Sequence, residues 1–213
     1  MGPNVAEATD FDLLQSWRDG EASAGRELFA RHFDAVYRFF RNKVDDVAED
    51  LTQQTFEAIV AGRDRFRGEA SFRTYLFTVA RKKLYSHLRT LHRRAPAVGL
   101  GELSVADVAG PSPSRVAAGR QEQRLILQAL RRLPLQMQVA LELFYWEGLS
   151  VTEIAGVIDV PVGTVKSRLQ RARARLDEII TELAASDSLR QSTLGGFERW
   201  ARELKGVMAP DGD

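Results

Sequence analysis

Apolar residues recur every three or four positions along most of this chain, and that spacing leaves little choice of fold. Leu28, Phe29, Phe33, Val36, Phe39 and Phe40 fall on one side of a helix expected over Ala22–Val44. Val47, Leu51, Phe56 and Ile59 repeat the pattern over 46–61. Phe72, Leu76, Val79, Ala80, Leu84, Leu88 and Leu91 extend it behind Ser71, a good N-cap. Alternating strand patterns are nearly absent. The expectation is an all-α protein, opened by a short helix over 11–18 that Thr9 or Asp10 can cap and Asp19-Gly20 can end.

Residues 95–119 break the pattern. They hold three of the seven prolines (Pro96, Pro111, Pro113) and four glycines, which reads as a flexible linker. Its twenty-five residues can stretch to about 80–90 Å. Two small helical domains are therefore expected, 1–94 and 120–180, followed by a tail over 181–213. Within the tail, GFERWARELKGV can form one more helix after a polar break. Leu194, Phe197, Trp200, Ala201 and Leu204 would be its apolar face.

The second domain carries two short helices and a tight turn. Pro134 suits a helix start, and Gly148 suits the end of that helix. Ser150 and Glu153 form a capping box, and Asp159-Val160 makes the turn. GTVKSRLQRARARL (163–176) then holds five basic residues and no acid. At 100° per residue Val165, Leu169, Ala172 and Leu176 share one side. Leu149, Ile154, Val157 and Ile158 are the expected seat for that side. Ser167, Gln170 and Arg171 point the other way, with Lys166, Arg168, Arg173 and Arg175 as shoulders. A basic amphipathic helix alone also suits a membrane surface or a partner helix; the capped helix and turn before it select a DNA-reading helix-turn-helix.

Charge is uneven although the chain nets only +1. Residues 1–60 hold 6 basic and 12 acidic side chains, and 61–94 hold 10 and 2. This asymmetry fits two surfaces with different partners, and equally solvated helix faces. An apolar fraction of 44% argues against wholesale disorder. The absence of cysteine excludes disulfides and thiolate metal sites and fits a reducing compartment. The N-terminus lacks a basic start and an apolar run, so no secretory signal is expected; nor is membrane insertion, for want of a long apolar stretch. His32, His87 and His92 are isolated, and no phosphate loop, nucleophile elbow or metal-ligand spacing occurs. The chain is expected to be no enzyme and to need no cofactor.

ALRRLPLQMQVALELFYWEGLSVTEIAGVIDVPVGTVKSRLQRARARL resembles the region-four domain of extracytoplasmic-function sigma factors of bacterial RNA polymerase. DVAEDLTQQTFEAIV and FRGEASFRTYLFTVARKKLYSHLRTLHRR resemble their region-two domain. The resemblance implies a cytoplasmic bacterial protein that directs core RNA polymerase to promoters. It implies binding to the clamp of the largest catalytic subunit through Asp46, Glu49, Asp50, Gln53 and Gln54, and to the flap of the second subunit. It assigns minus-ten recognition and melting to Phe66, Arg67, Gly68, Glu69, Ser71, Arg81, Lys82 and Lys83, around a pocket for a flipped base. Lys166, Ser167, Gln170 and Arg171 would read minus-thirty-five bases; Thr164, Arg168, Arg173 and Arg175 would hold phosphates. It also implies an anti-sigma factor as partner. Promoter elements 16–18 base pairs apart lie roughly 55–60 Å from each other, within reach of the stretched linker. A helix-turn-helix regulator working without polymerase is the rival; it leaves the acidic-then-basic order of 1–94 unexplained.

Overall fold

The computed structural model describes residues 8–66, 68, 70–91, 99–109, 120–199 and 203. The chain runs through helices α1 (Asp10–Arg18), α2 (Ala22–Val44), α3 (Ala48–Gly62) and α4 (Phe72–Leu91), then α5 (Val105–Ala109). The second half follows with α6 (Gln121–Arg132), α7 (Leu135–Tyr145), α8 (Val151–Ile158), α9 (Val162–Leu183) and α10 (Asp187–Gly195). No strand forms among the described residues; Ser104 and Pro134 make an isolated antiparallel bridge.

The first bundle packs α1 to α4 around Leu28, Phe39, Phe40, Ile59, Leu76, Phe77 and Leu84, all essentially excluded from solvent. Thr9 caps α1 in a reciprocal box with Asp12. Asp10 reaches across to α2 and bonds the His32 ring at 2.7 Å. Burial acts to raise the Asp10 carboxyl, but His32, Arg31 and Arg73 outweigh it and hold it below its ordinary range. Two expected core residues face outward instead. Leu91 is 53% exposed at the last turn of α4, and Phe33 stands at the bundle edge against Phe56. The apolar period runs past the layer that can cover it.

The second bundle closes α6, α7 and α9 around Ile126, Ala129, Leu130, Leu141, Leu176 and Ile180. The tail joins this core. The stretch expected as a polar break is the helix α10, capped by Ser186; three-residue periodicity among Leu189, Ser192 and Thr193 is too polar to announce it. Phe197 follows and is 3% exposed. Together with Ile126, Leu130, Leu141, Tyr145 and Trp146 it lines a small cleft. Trp200, Ala201 and Leu204 lie outside the described residues.

The linker region also carries structure. Ser104 caps α5 through Asp107, Val105 is buried, and the Leu103 carbonyl accepts from the Leu135 amide at 2.8 Å. Nothing in its Pro/Gly composition signals this; one buried valine and one backbone bond to the second bundle supply it.

The two bundles pack on each other. Leu135, Val139, Leu143, Leu149, Ile154, Val157 and Val165 of the second share one apolar core with α2 and α4 of the first. A polar network runs beside it. Lys43 and Glu142, 0% and 2% exposed, form an ion pair. Glu142 also accepts from Gln138 at 2.8 Å and Asn42 at 3.4 Å. Arg38 grips both oxygens of Glu147 at 2.9 and 3.2 Å. Arg131 of α6 donates to the carbonyls of Asn42 and Lys43 at 2.7 and 3.2 Å, satisfying the open C-terminal end of α2.

Candidate nucleic-acid interface

The helix expected to read DNA is α9. Ser150 and Glu153 cap its partner α8 reciprocally, with the serine oxygen accepting from the Glu153 amide at 3.2 Å and the Glu153 carboxylate accepting from the Ser150 amide at 3.0 Å. The Ser150 backbone bond, ahead of its hydroxyl, holds the Glu153 carboxyl below its ordinary range against opposing burial. Asp159 ends α8 in the left-handed conformation, φ 56°, and Pro161 starts α9. These local signals set the angle between the two helices. Ser150→Ala is expected to cost about 1 kcal/mol, read as a lowered denaturation midpoint with unchanged cooperativity.

Val165, buried, and Leu169, half-buried, sit in one core with Leu149, Ile154, Val157 and Ile158. Ala172 and Leu176 are buried too, but in the core formed with Ile126, Leu130 and Leu141 of α6 and α7, so the expected seat serves only the first half of this side. Lys166, Ser167, Gln170 and Arg171 stand exposed on the opposite side. Ser167 donates to the Thr164 carbonyl at 3.1 Å and Arg171 to the Ser167 carbonyl at 3.3 Å, so both stay close to the helix surface. These four form a continuous polar strip that an incoming base edge can meet.

The shoulder arginines are engaged within the chain. Arg173 donates to the Tyr145 hydroxyl at 3.1 Å, lies 3.6 Å from Asp177 and sits 3.9 Å over the Phe197 ring. Arg175 pairs with Glu178 at 2.7 Å. Arg168 is half-buried toward α4; burial lowers its guanidinium, and Tyr85 opposes that. Thr164 is half-buried at the first turn of α9.

The region assigned to minus-ten DNA lies against this motif. Ser71 donates to Glu153 at 3.2 Å and Arg81 to the Val157 carbonyl at 3.4 Å. Arg73 donates to the Glu147 carbonyl at 2.5 Å. Arg81 lies 4.9 Å over the Tyr85 ring. Burial pushes the Tyr85 phenol up, with Arg81 and Arg168 acting the other way. Lys82 is exposed and Lys83 half-buried. Phe66 stacks on Tyr75 at 4.8 Å. Gly68 takes φ 76°, a conformation side chains resist. Arg67 and Glu69 lie outside the described residues.

In the first bundle, Asp46 in the turn before α3 and Glu49, Asp50, Gln53 and Gln54 in its first two turns are all exposed, with Gln53 bonded to Glu57 at 2.9 Å. They form one acidic face, suited to a basic partner. The network of Arg38, Lys43, Arg131, Glu142 and Glu147 is absent from the sequence-based sites. Its one sequence signal is the pair of acids inside the apolar run LELFYWEGL.

A helical bundle with an acidic partner face, joined to a capped helix-turn-helix with an exposed basic strip, defines a DNA-binding protein that also docks on another protein. The comparisons carry this further. The profile described as Sigma-70 region 2 matches residues 28–94, and that of Sigma-70, region 4 matches 123–176. The RNA polymerase sigma-H factor of Pseudomonas aeruginosa is 32% identical over 84% of this chain and 97% of its own. The ECF RNA polymerase sigma-E factor of Escherichia coli K12 is 27% identical over 83% and 97%. Among solved structures, the sigma factor RpoE in complex with the anti-sigma factor NepR from Bartonella quintana superposes with TM-score 0.58. It is 26% identical over 75% of this chain and 98% of its own. CnrH in complex with the cytosolic domain of CnrY gives 0.52, at 26% identity over 82% and 99%.

The chain belongs to the sigma-70 family, in its extracytoplasmic-function group. It is a promoter-recognising sigma factor of RNA polymerase. No helix among the described residues is long and apolar enough to cross a membrane.

Proposed function

We propose that residues 1–94 form the polymerase-binding and minus-ten-opening unit, 120–180 the minus-thirty-five reader, and 95–119 the tether between them. Lys166, Ser167, Gln170 and Arg171 read bases, while Thr164, Arg168, Arg173 and Arg175 take phosphates. Phe66, Arg67, Gly68, Glu69, Ser71, Arg81, Lys82 and Lys83 handle the minus-ten strand. Asp46, Glu49, Asp50, Gln53 and Gln54 meet the clamp of the largest polymerase subunit, and the second bundle meets the flap of the second subunit. An anti-sigma factor is the natural regulator, as the Bartonella quintana sigma factor solved with one suggests. The protein acts in the bacterial cytoplasm without catalysing a reaction of its own.

The observation that carries this reading is the exposed strip on α9 opposite its inward apolar side. A second feature adds a step. Groups in contact across α4, α8 and α9 are unable to touch two promoter elements roughly 55–60 Å apart. The packed arrangement is a closed form, and polymerase binding has to separate the bundles.

In vitro transcription with core polymerase and a promoter library tests the whole reading; no promoter-dependent transcript would refute it. The strip is tested by Arg171→Ala. Promoter affinity should fall by about 1–3 kcal/mol at one or two minus-thirty-five positions. Equal weakening on every sequence in a gel-shift series would leave Arg171 a phosphate contact only.

A further inference from the structure

α1 lies outside both matched segments, yet its last residue is bound to the loop assigned to the flipped base. The Arg18 guanidinium donates from Nε and Nη2 to the Arg63 carbonyl, at 3.0 and 2.6 Å. Nη2 also donates to the Phe66 carbonyl. Its carbon lies 6.0 Å from the centre of the Phe66 ring. Those carbonyls close α3 and the 3-10 turn after it, where helix geometry leaves acceptors without intrahelical donors. A planar five-donor fork can hold two such acceptors at once; an ammonium offers no fork.

The clamp is itself anchored. Trp17 beside it takes the Arg63 guanidinium 5.4 Å over its ring. A side-chain carbon on Gly25 would come within 2.7 Å of the Trp17 indole, so α1 and α2 meet too closely for any other residue there. On the far side Phe66 stacks on Tyr75 of α4. Further along the loop, a carbon on Gly68 would lie 3.9 Å from the Phe11 ring. The entry to the loop is thus held between α1 and α4.

We propose that Arg18 is a positioning residue for promoter opening: by fixing the Arg63 and Phe66 carbonyls it holds the Phe66 end of the loop assigned to the flipped minus-ten base and sets the discrimination for that base. The proposal rests on reading that loop as the base pocket. Arg18 touches no base in this role. A loop already held in place spends none of its binding energy on ordering, whereas a loosened one does.

The test uses full-length Arg18→Gln and Arg18→Lys assembled with core polymerase. Open-complex formation is followed by permanganate reactivity of minus-ten thymines, on a promoter and on single-base substitutions through the element. Core affinity and minus-thirty-five binding are measured in parallel. Wild type should show one minus-ten position of steep preference. Arg18→Gln should lower that preference roughly tenfold to a hundredfold, the scale expected from misplacing a binding group by about 1 Å. Arg18→Lys should recover it only in part, while core affinity and minus-thirty-five binding stay at the wild-type level. A preference unchanged in Arg18→Gln overturns the proposal. So does a uniform loss at every minus-ten position together with weakened core binding, which marks a merely structural arginine. If wild type itself shows no preferred position, the base-pocket reading fails before any variant is compared.

Discussion

Glu142→Gln is expected to open the closed form. The substitution keeps the shape of the side chain and removes its charge, leaving the Lys43 ammonium fully buried against the Phe39 ring and carbonyl, 4.2 Å and 2.6 Å away. Removing one partner of a buried pair costs about 3–5 kcal/mol, a large share of what holds two small domains together. Each bundle keeps core residues of its own, so separation is cheaper than unfolding. The readout is an increased radius of gyration in solution scattering, with helix content unchanged. Lys43→Met should do less, because Glu142 retains the amide donors of Gln138 and Asn42. Joint replacement by Met and Leu should restore the compact form.

The same pair has a defined pH response. Burial, more than any other influence, pulls the Lys43 ammonium below its ordinary range, and Glu142 opposes it. In Glu142→Gln that opposition is gone and the closed-form pKa falls further. The open form then binds more protons than the closed one, so closure strengthens as pH rises through the closed-form pKa toward the ordinary lysine range. Glu142→Gln should therefore become more compact with rising pH. A variant that stays compact at neutral pH, or that expands as pH rises, would refute the role given to this pair.

Phe197→Ala should produce the second large effect. The ring lies edge-on to Tyr145 at 5.4 Å and under the Arg173 guanidinium. Emptying a buried aromatic site costs about 3–5 kcal/mol, and the cation–π contact adds roughly 0.5–2 kcal/mol. The second bundle should lose that much stability in denaturant titration. Arg173 is also released toward solvent. DNA affinity should then depend more steeply on salt, by about one unit of log–log slope for one added phosphate contact. Adding Arg173→Ala should cancel the steeper slope. An unchanged slope in Phe197→Ala would mean that Phe197 does not withhold Arg173 from DNA.

Local signals that act over three or four residues were legible in the chain. The bounds of α2, the Ser150–Glu153 box and the buried side of α9 follow from spacing and capping, because those interactions close within one element. The α9 strip follows as well: its orientation is fixed once Val165, Ala172 and Leu176 are known to point inward. Leu91 and Phe33 were misread since periodicity says which side of a helix is apolar and not how far a neighbour extends to cover it. α10 was missed because its helix is stabilised by docking on α6 and α9, with little apolar pattern of its own.

By itself the sequence determined an all-helical chain of two bundles with one acidic face and one basic helix, since residue type and spacing set helix faces and charge; the likeness to sigma factors lay in its motifs. Tertiary structure alone decided the rest. It put Lys43 beside Glu142 and Arg38 beside Glu147 across about a hundred residues of chain, set Arg173 against the tail, and brought Arg18 to the carbonyls of Arg63 and Phe66. Pairs so distant in sequence carry no periodic trace, and a charge on a helix face looks the same whether water or a buried partner receives it.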